Sequence, residues 1–175
     1  MKNIIVTFLF LALISCSAPE ATGPVFIQNG LALDGYDPVA YFEQSEAKKG
    51  HENEVVTYQG ATYAFSSTKN RQLFEQDPDK YLPAYGGWCA YAVAETSTRM
   101  SPDPTQWQIQ DGQLQLFYDD WQTSLFGSLK SSWNEDPTDY KSRADQNWEQ
   151  MKWYFPTVKF SIGPFRTTLS SDHYR

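Results

Sequence analysis

Two cysteines are the residues of this chain whose type and position could do chemistry. Cys89 ends the run Tyr85-Gly86-Gly87-Trp88-Cys89, and Cys16 closes a short apolar segment near the N-terminus. A thiolate can attack an electrophile, form a disulfide or bind a soft metal ion. Two cysteines in an exported protein would ordinarily pair. Because Cys16 stands where bacterial lipoproteins are cut and acylated, we predict that Cys89 is a free thiol outside the cytosol.

The N-terminus has the three parts of an export signal, namely a basic start, an apolar run and a cluster of small residues. Lys2 supplies the charge, and the apolar run from Ile4 to Ile14 is too short to cross a bilayer as a mature helix. We therefore predict a lipoprotein signal peptide at residues 1–15 and a lipid on Cys16.

The segment after the predicted cleavage site indicates where the protein resides. Residues 17–23 are small and polar and include a proline, as expected of a tether, so we assign residues 16–29 to the lipid anchor and tether. Ser17, which follows the lipidated cysteine, is typical of lipoproteins sent to the outer membrane. The prediction is a protein of the cell envelope that is anchored by its lipid and faces the periplasm.

Net charge narrows the range of partners. The formal charge is −7, with 14 basic and 21 acidic residues, and no basic stripe is present. Binding to nucleic acid is therefore not expected, since neutralising phosphates needs clustered Lys and Arg. The sequence contains no Ser–His–Asp pattern, phosphate loop or paired-carboxylate motif. The sequence leaves open whether the protein is an enzyme. It is compatible with another envelope protein or a redox protein as a binding partner.

Hydrophobic periodicity predicts two hairpins and two helices. Apolar residues alternate on both sides of Gln59-Gly60 and of Asp111-Gly112, which are hairpin turn signals. Ser67 can cap a helix that runs to about Gln76. Asp136-Pro137 can begin a second helix. The apolar stripe of that helix consists of Tyr140, Ala144, Trp148, Met151 and Phe155.

Other segments give weaker signals. We expect a short strand at residues 39–42, a polar loop at residues 45–53 and a proline-punctuated loop at residues 102–104. The apolar run at residues 88–94 fits a strand or a helix equally well. Asp34, Asp37, Asp103 and Asp111 lie beside Gly or Pro or in turns, so we expect them to form turns rather than an acid–base pair.

The elements together predict an α+β fold. A small antiparallel sheet of hairpins would carry a short central helix, with a C-terminal helix packed across it. The aromatic content of 16% is high enough to build a core without disulfides. We place one domain at residues 30–155 and an irregular C-terminal tail at residues 156–175.

The order and spacing of several blocks resemble an exported YHS-domain protein. The resemblance covers residues 30 to about 153. Its blocks are Gly35-Tyr36-Asp37-Pro38-Val39-Ala40-Tyr41-Phe42, Tyr58-x-Gly60-x-x-Tyr63-x-Phe65-x-Ser67, Asn70-Arg71 with Phe74, Pro78-x-Lys80-Tyr81, Tyr85-Gly86-Gly87-Trp88-Cys89-Ala90, Asp111-Gly112-x-Leu114-x-Leu116-x-Tyr118 and Ala144-Asp145-x-Asn147-Trp148.

The resemblance implies a link to heavy-metal handling, because metal-binding YHS members carry cysteines in two of these blocks. This chain departs from them at each such position, where it has Ala40, Ser66 and Asn70. A tetrahedral zinc site needs about four Cys or His ligands in close spacing. The sequence therefore does not predict a cysteine-rich zinc site.

Three functional hypotheses remain open. The first is a soft-metal site, copper first, formed by Cys89 with His51 or Met100. The second is a thiol redox enzyme or sensor in which Cys89 cycles through a sulfenic acid or a mixed disulfide. The third is an envelope scaffold that binds a partner through its aromatic surface. The lack of further sulfur ligands counts against the metal hypothesis, and the lack of a resolving cysteine counts against the redox hypothesis.

Overall fold

A computed structural model describes residues 24–120 and 128–152. Within these ranges the chain forms three two-stranded antiparallel sheets and six α-helices, which confirms the predicted α+β class. The strands are β1 (Ile27–Gln28), β2 (Leu31–Ala32), β3 (His51–Tyr58), β4 (Ala61–Phe65), β5 (Asp103–Gln110) and β6 (Gln113–Phe117). The helices are α1 (Pro38–Glu43), α2 (Thr68–Gln76), α3 (Pro78–Tyr81), α4 (Ala90–Thr96), α5 (Leu129–Trp133) and α6 (Pro137–Met151).

Both predicted hairpins are confirmed. β3 pairs with β4 and β5 pairs with β6, each through a two-residue turn. Gln59 and Gly60 have φ angles of 48° and 80°, and Asp111 and Gly112 have 52° and 76°. Two successive positive φ angles define the tight turn whose twist matches that of the flanking strands.

The strand predicted at residues 39–42 is wrong, because these residues lie in helix α1. Asp37 precedes the helix, and its Oδ1 accepts the N–H groups of Val39 at 2.9 Å and Ala40 at 3.3 Å. Pro38 occupies the first helical position, where its missing N–H costs nothing. The same Asp-Pro pair that signalled a turn therefore also begins a helix.

Two predicted loops are shorter than expected. β3 begins at His51 and β5 begins at Asp103, so each strand includes residues that we placed in a loop. Register shifts lie between His51 and Val55 and between Asp103 and Trp107. Such irregular pairing tolerates the polar and proline residues that hid the strand starts from the sequence pattern.

The ambiguous run at residues 88–94 forms helix α4. Ala90, Ala92 and Ala94 are strong helix formers, and their small side chains let α4 pack closely on α6. Just before the helix, Cys89 forms an isolated parallel bridge to Leu116 of β6. The Cys89 thiol thus lies between the start of α4 and strand β6.

The predicted helix at the C-terminal end is confirmed over α6. Asp136 caps it by accepting the N–H of Asp139 at 3.1 Å. Ala144 is fully buried, whereas Tyr140, Trp148 and Met151 are partly buried against the same core. Phe155 lies outside the described residues, as does the predicted tail.

Strand β6 separates two hydrophobic clusters. Leu114 and Leu116 point into the first, which contains α1, α2 and the hairpin β3–β4. Phe117 points the other way into the second, where Trp133 of α5 and Ala144 of α6 are buried. Alternate side chains of a strand face opposite sides, so one strand serves both clusters. Among the described helices none has the length and apolarity that crossing a membrane requires.

Candidate functional site

Cys89 is fully buried beside β6. Its backbone N–H donates to the carbonyl of Met100 at 3.0 Å, and its sulfur accepts the N–H of Tyr118 at 3.2 Å. No cysteine partner lies among the described residues, where Cys89 is a free thiol. The thiol is therefore part of the packing between the start of α4 and the end of β6.

Burial raises the pKa of the Cys89 thiol above its ordinary value. Backbone N–H groups of Ala92, Tyr118 and Tyr91 act in the opposite direction, but their effect is smaller than that of desolvation. A charge in a dry site is costly, so the neutral thiol is favoured. Cys89 thus lacks both the exposure and the lowered pKa that distinguish reactive cysteines.

The structure brings one of the two predicted metal partners towards Cys89. Met100 contacts it through the backbone, while the Met100 side chain is 38% exposed. His51 is exposed at the start of β3, opposite Phe65, and thus lies on a different hairpin from the one that holds Cys89. Across residues 24–120 and 128–152, no group of three or more His, Cys, Asp or Glu side chains could hold a metal ion.

The three positions at which a cysteine was expected converge on the carboxylate of Asp37. Ala40 donates its N–H to Oδ1. Ser66 donates to Oδ2 twice, from its N–H at 2.8 Å and its hydroxyl at 2.7 Å. Asn70 donates to the same oxygen from Nδ2 at 2.6 Å. Asp37 and Asn70 are both buried.

This arrangement does not fit a metal ion held by thiolates. A metal needs lone pairs directed at it, whereas the groups around Asp37 are hydrogen-bond donors directed at an anion. The network instead ties α1 to the segment between β4 and α2. Sequence reasoning treated Asp37 only as a turn former, and the Asp-Pro cap signature was the available signal for its structural role.

A cavity of about 430 Å³ borders the chain segment that precedes Cys89. This segment contains a tight 3₁₀ turn, Ala84–Gly87, which forms one wall of the cavity. Helix α6 and the start of β6 form the other walls. We call this cavity the pocket. It is lined by Pro83, Ala84, Tyr85, Gly86, Gln113, Lys141, Asp145, Trp148 and Glu149.

The pocket wall depends on two left-handed residues. Tyr85 and Gly86 have φ angles of 54° and 61°, and a left-handed tyrosine is a strained conformation. The Tyr85 hydroxyl donates to Asp145 Oδ1 at 2.9 Å, which fixes the ring against α6. Burial and this hydrogen bond raise the pKa of Tyr85 far above its ordinary value, so the hydroxyl stays a donor.

The N-terminal segment, residues 24–28, is held by the same turn. Trp88 Nε1 donates to the carbonyl of Pro24 at 2.8 Å, and the N–H of Phe26 donates to the carbonyl of Gly86 at 2.8 Å. A Cβ on Gly86 would collide with the carbonyl oxygen of Pro24. The glycine therefore permits the close passage of the incoming chain.

The sequence reading missed most of the pocket. The sequence analysis places Trp148 on the core stripe of α6 and gives no role to Lys141 or Glu149. Their spacing of three or four residues places them along one edge of α6. That spacing was readable, but which element faces this edge was not.

Comparison with protein families shows that residues 39–85 match the YHS domain. This family is associated with metal binding. The match covers α1, β3, β4, α2 and α3, and it ends at Tyr85, before Cys89 and the whole of α6. Neither the curated proteins nor the solved structures contain a match to the chain.

Proposed function

Because this chain contains a YHS domain at residues 39–85, we propose that it is a lipid-anchored binding protein of the cell envelope. The observation that supports a binding role is the pocket beside the domain. Its volume of about 430 Å³ lies in the range of ligand sites, and several polar side chains converge on it. The proposal thus favours ligand binding at the pocket over a reaction at the buried thiol.

The anchor restricts where this binding takes place. We propose that Cys16 carries the lipid at the periplasmic face of the outer membrane. The stretch from Cys16 to Pro24, even when fully extended, would span at most about 30 Å. Since Pro24 is hydrogen-bonded to Trp88 beside the pocket, the ligand would be met close to the membrane surface.

Retention of a small molecule by the purified protein tests the binding role. Gln113 is exposed at the pocket mouth, so Gln113→Trp should fill the pocket without disturbing the core. Val55→Trp makes the same kind of change at an exposed position of β3 and is the matched control. Native mass spectrometry of protein released from membranes should show a bound molecule in the wild type and in Val55→Trp. No retained molecule, or equal retention by Gln113→Trp, would contradict the proposal.

A second candidate function is copper(I) binding at Cys89. Its support is the hydrogen bond between the N–H of Cys89 and the carbonyl of Met100, which brings a thiol and a thioether onto adjacent backbone. Thiolate and thioether sulfurs are the ligands that copper(I) prefers. Binding would have to displace the thiol proton, which burial makes harder.

Competition with a chromophoric copper(I) chelator tests this candidate. One metal equivalent should be lost in Cys89→Ser and weakened in Met100→Leu. His51→Ala is the control for the predicted ligand that the structure places on the other hairpin. Unchanged copper binding in Cys89→Ser would remove the metal hypothesis at this residue.

A further inference from the structure

Two aromatic rings form the apolar part of the pocket. The rings of Tyr85 and Trp148 meet edge to face, with centroids 6.2 Å apart and planes at 73°. Tyr85 is buried and fixed by its hydrogen bond to Asp145, while Trp148 is only partly buried. Ring faces of this kind attract the C–H face of a ligand that has hydrogen-bonding groups at its edge.

Polar side chains line the pocket together with these rings. Gln113 offers an amide donor and an amide acceptor, Asp145 and Glu149 offer carboxylate acceptors, and Lys141 offers ammonium donors. The pocket therefore presents hydrogen-bond donors and acceptors together, which suits a ligand whose groups both donate and accept hydrogen bonds. A hydroxyl group has that property, since it donates one hydrogen bond and accepts others.

The charges at the pocket are already paired within the protein. Lys141 Nζ lies 2.8 Å from Asp145 Oδ2, and Lys152 Nζ lies 2.6 Å from Glu149 Oε1. Each carboxylate of the pocket lining is thus paired with a lysine, so neither a cationic nor an anionic ligand would find an isolated opposite charge there. The charge pattern thus favours a neutral ligand.

We propose that the pocket binds a neutral saccharide unit. This inference rests on the proposed binding function and adds the ligand class. One sugar face would stack on Trp148, and its hydroxyl groups would bond to Gln113 and Asp145.

Saturation-transfer NMR with the full-length protein tests the ligand class. The probes are maltose and the disaccharide of N-acetylglucosamine as neutral sugars, spermidine as a cation and glucose 6-phosphate as an anion. A neutral disaccharide should receive saturation from the wild type and from Val55→Trp. Gln113→Trp should weaken its binding by about tenfold or more. Transfer to neither sugar, or equal transfer in Gln113→Trp, would overturn the saccharide inference.

Two outcomes separate this inference from the proposed function. If spermidine or glucose 6-phosphate binds and Gln113→Trp abolishes that binding, the pocket is a ligand site but the ligand class is wrong. If no probe binds and native mass spectrometry finds no retained molecule, both the ligand class and the binding function fall.

Discussion

At the scale of single residues, the Asp37 carboxyl group and the Cys89 thiol are both buried, but different groups surround them. The carboxylate oxygens of Asp37 accept hydrogen bonds from α1, from the segment after β4 and from α2. The Cys89 sulfur has a partly donor-lined site in which desolvation dominates, so Cys89 is favoured as a neutral thiol. The two buried groups thus differ in the number of donors that the fold directs at them.

We predict that Asp37→Ala destabilises the protein by about 3–5 kcal/mol, because it removes the charge and leaves several buried donors without an acceptor. Ser66→Ala removes one side-chain donor to Asp37 and a weak acceptor for Asn70 but keeps the Ser66 N–H, and it should cost about 1–3 kcal/mol. Glu46 is exposed in the segment after α1, so Glu46→Ala is the control and should change stability by less than about half a kcal/mol. Urea unfolding measures all three. An Asp37→Ala protein as stable as the control would refute the network.

We predict that Cys89 is inert to thiol reagents in the folded protein at neutral pH. Its pKa is raised by burial and its side chain is fully buried, so neither thiolate nor access is available. Maleimide labelling of the Cys16→Ser variant, in which Cys89 is the sole thiol, should be slow in buffer and fast in urea. Fast labelling of the folded protein would restore the redox hypothesis.

The raised pKa also predicts how Cys89 affects stability as the pH changes. Its pKa is higher in the folded protein than the value of 9.0 expected in the unfolded chain. Only the unfolded chain ionises once the pH passes 9.0, so the contribution of Cys89 is complete below that pH and falls above it. The stability difference between wild type and Cys89→Ala should shrink accordingly. A difference that stays constant above this pH would contradict the raised pKa.

At the scale of elements, the tight turn Ala84–Gly87 connects the N-terminal segment, the pocket and α4. Phe26 bonds to the turn from one side, and Tyr85 bonds to Asp145 of α6 on the other. Phe26 and Trp88 also meet edge to face, with centroids 5.2 Å apart. A change of backbone in this turn should therefore affect both the N-terminal segment and the pocket.

A pair of glycine substitutions separates backbone strain from the close passage of the chain. Gly112 has a positive φ and open space around it, so Gly112→Ala should cost only the strain, about 1–2 kcal/mol. Gly86 has a positive φ and also faces the carbonyl of Pro24, so Gly86→Ala should cost about 2 kcal/mol more than Gly112→Ala. Thermal unfolding measures the difference. Equal costs would show that the N-terminal segment is not held against Gly86.

At the scale of the whole molecule, the predicted lipid decides where the domain works. We predict that Cys16→Ser releases the protein from membranes or leaves it unprocessed, because Cys16 is the residue that would carry the lipid. Fractionation after a salt wash, with the wild type and Cys89→Ser as controls, is the measurement. A Cys16→Ser protein that has lost residues 1–15 and still fractionates with membranes would exclude the lipid as the only anchor.

The elements that the sequence determined are those coded by neighbouring residues. The turns at Gln59-Gly60 and Asp111-Gly112, the Ser67 cap and the Asp136-Pro137 helix start were all predicted, because a turn or a cap is formed by residues close together in the chain. Residues 39–42 were assigned to the wrong element for a related reason. There the pattern is short, and the side-chain cap of Asp37 outweighed strand propensity.

Only the tertiary structure decided what the chemical groups can do. The sequence singled out Cys89 but not its burial, which depends on β6 arriving from more than twenty residues further along the chain. It noted Ala40, Ser66 and Asn70 as departures but could not place them around Asp37. It saw Tyr85 and Trp148 in separate motifs, although their rings share one pocket. Burial, and therefore pKa and access, is set by which distant segments meet, and local spacing does not encode that meeting.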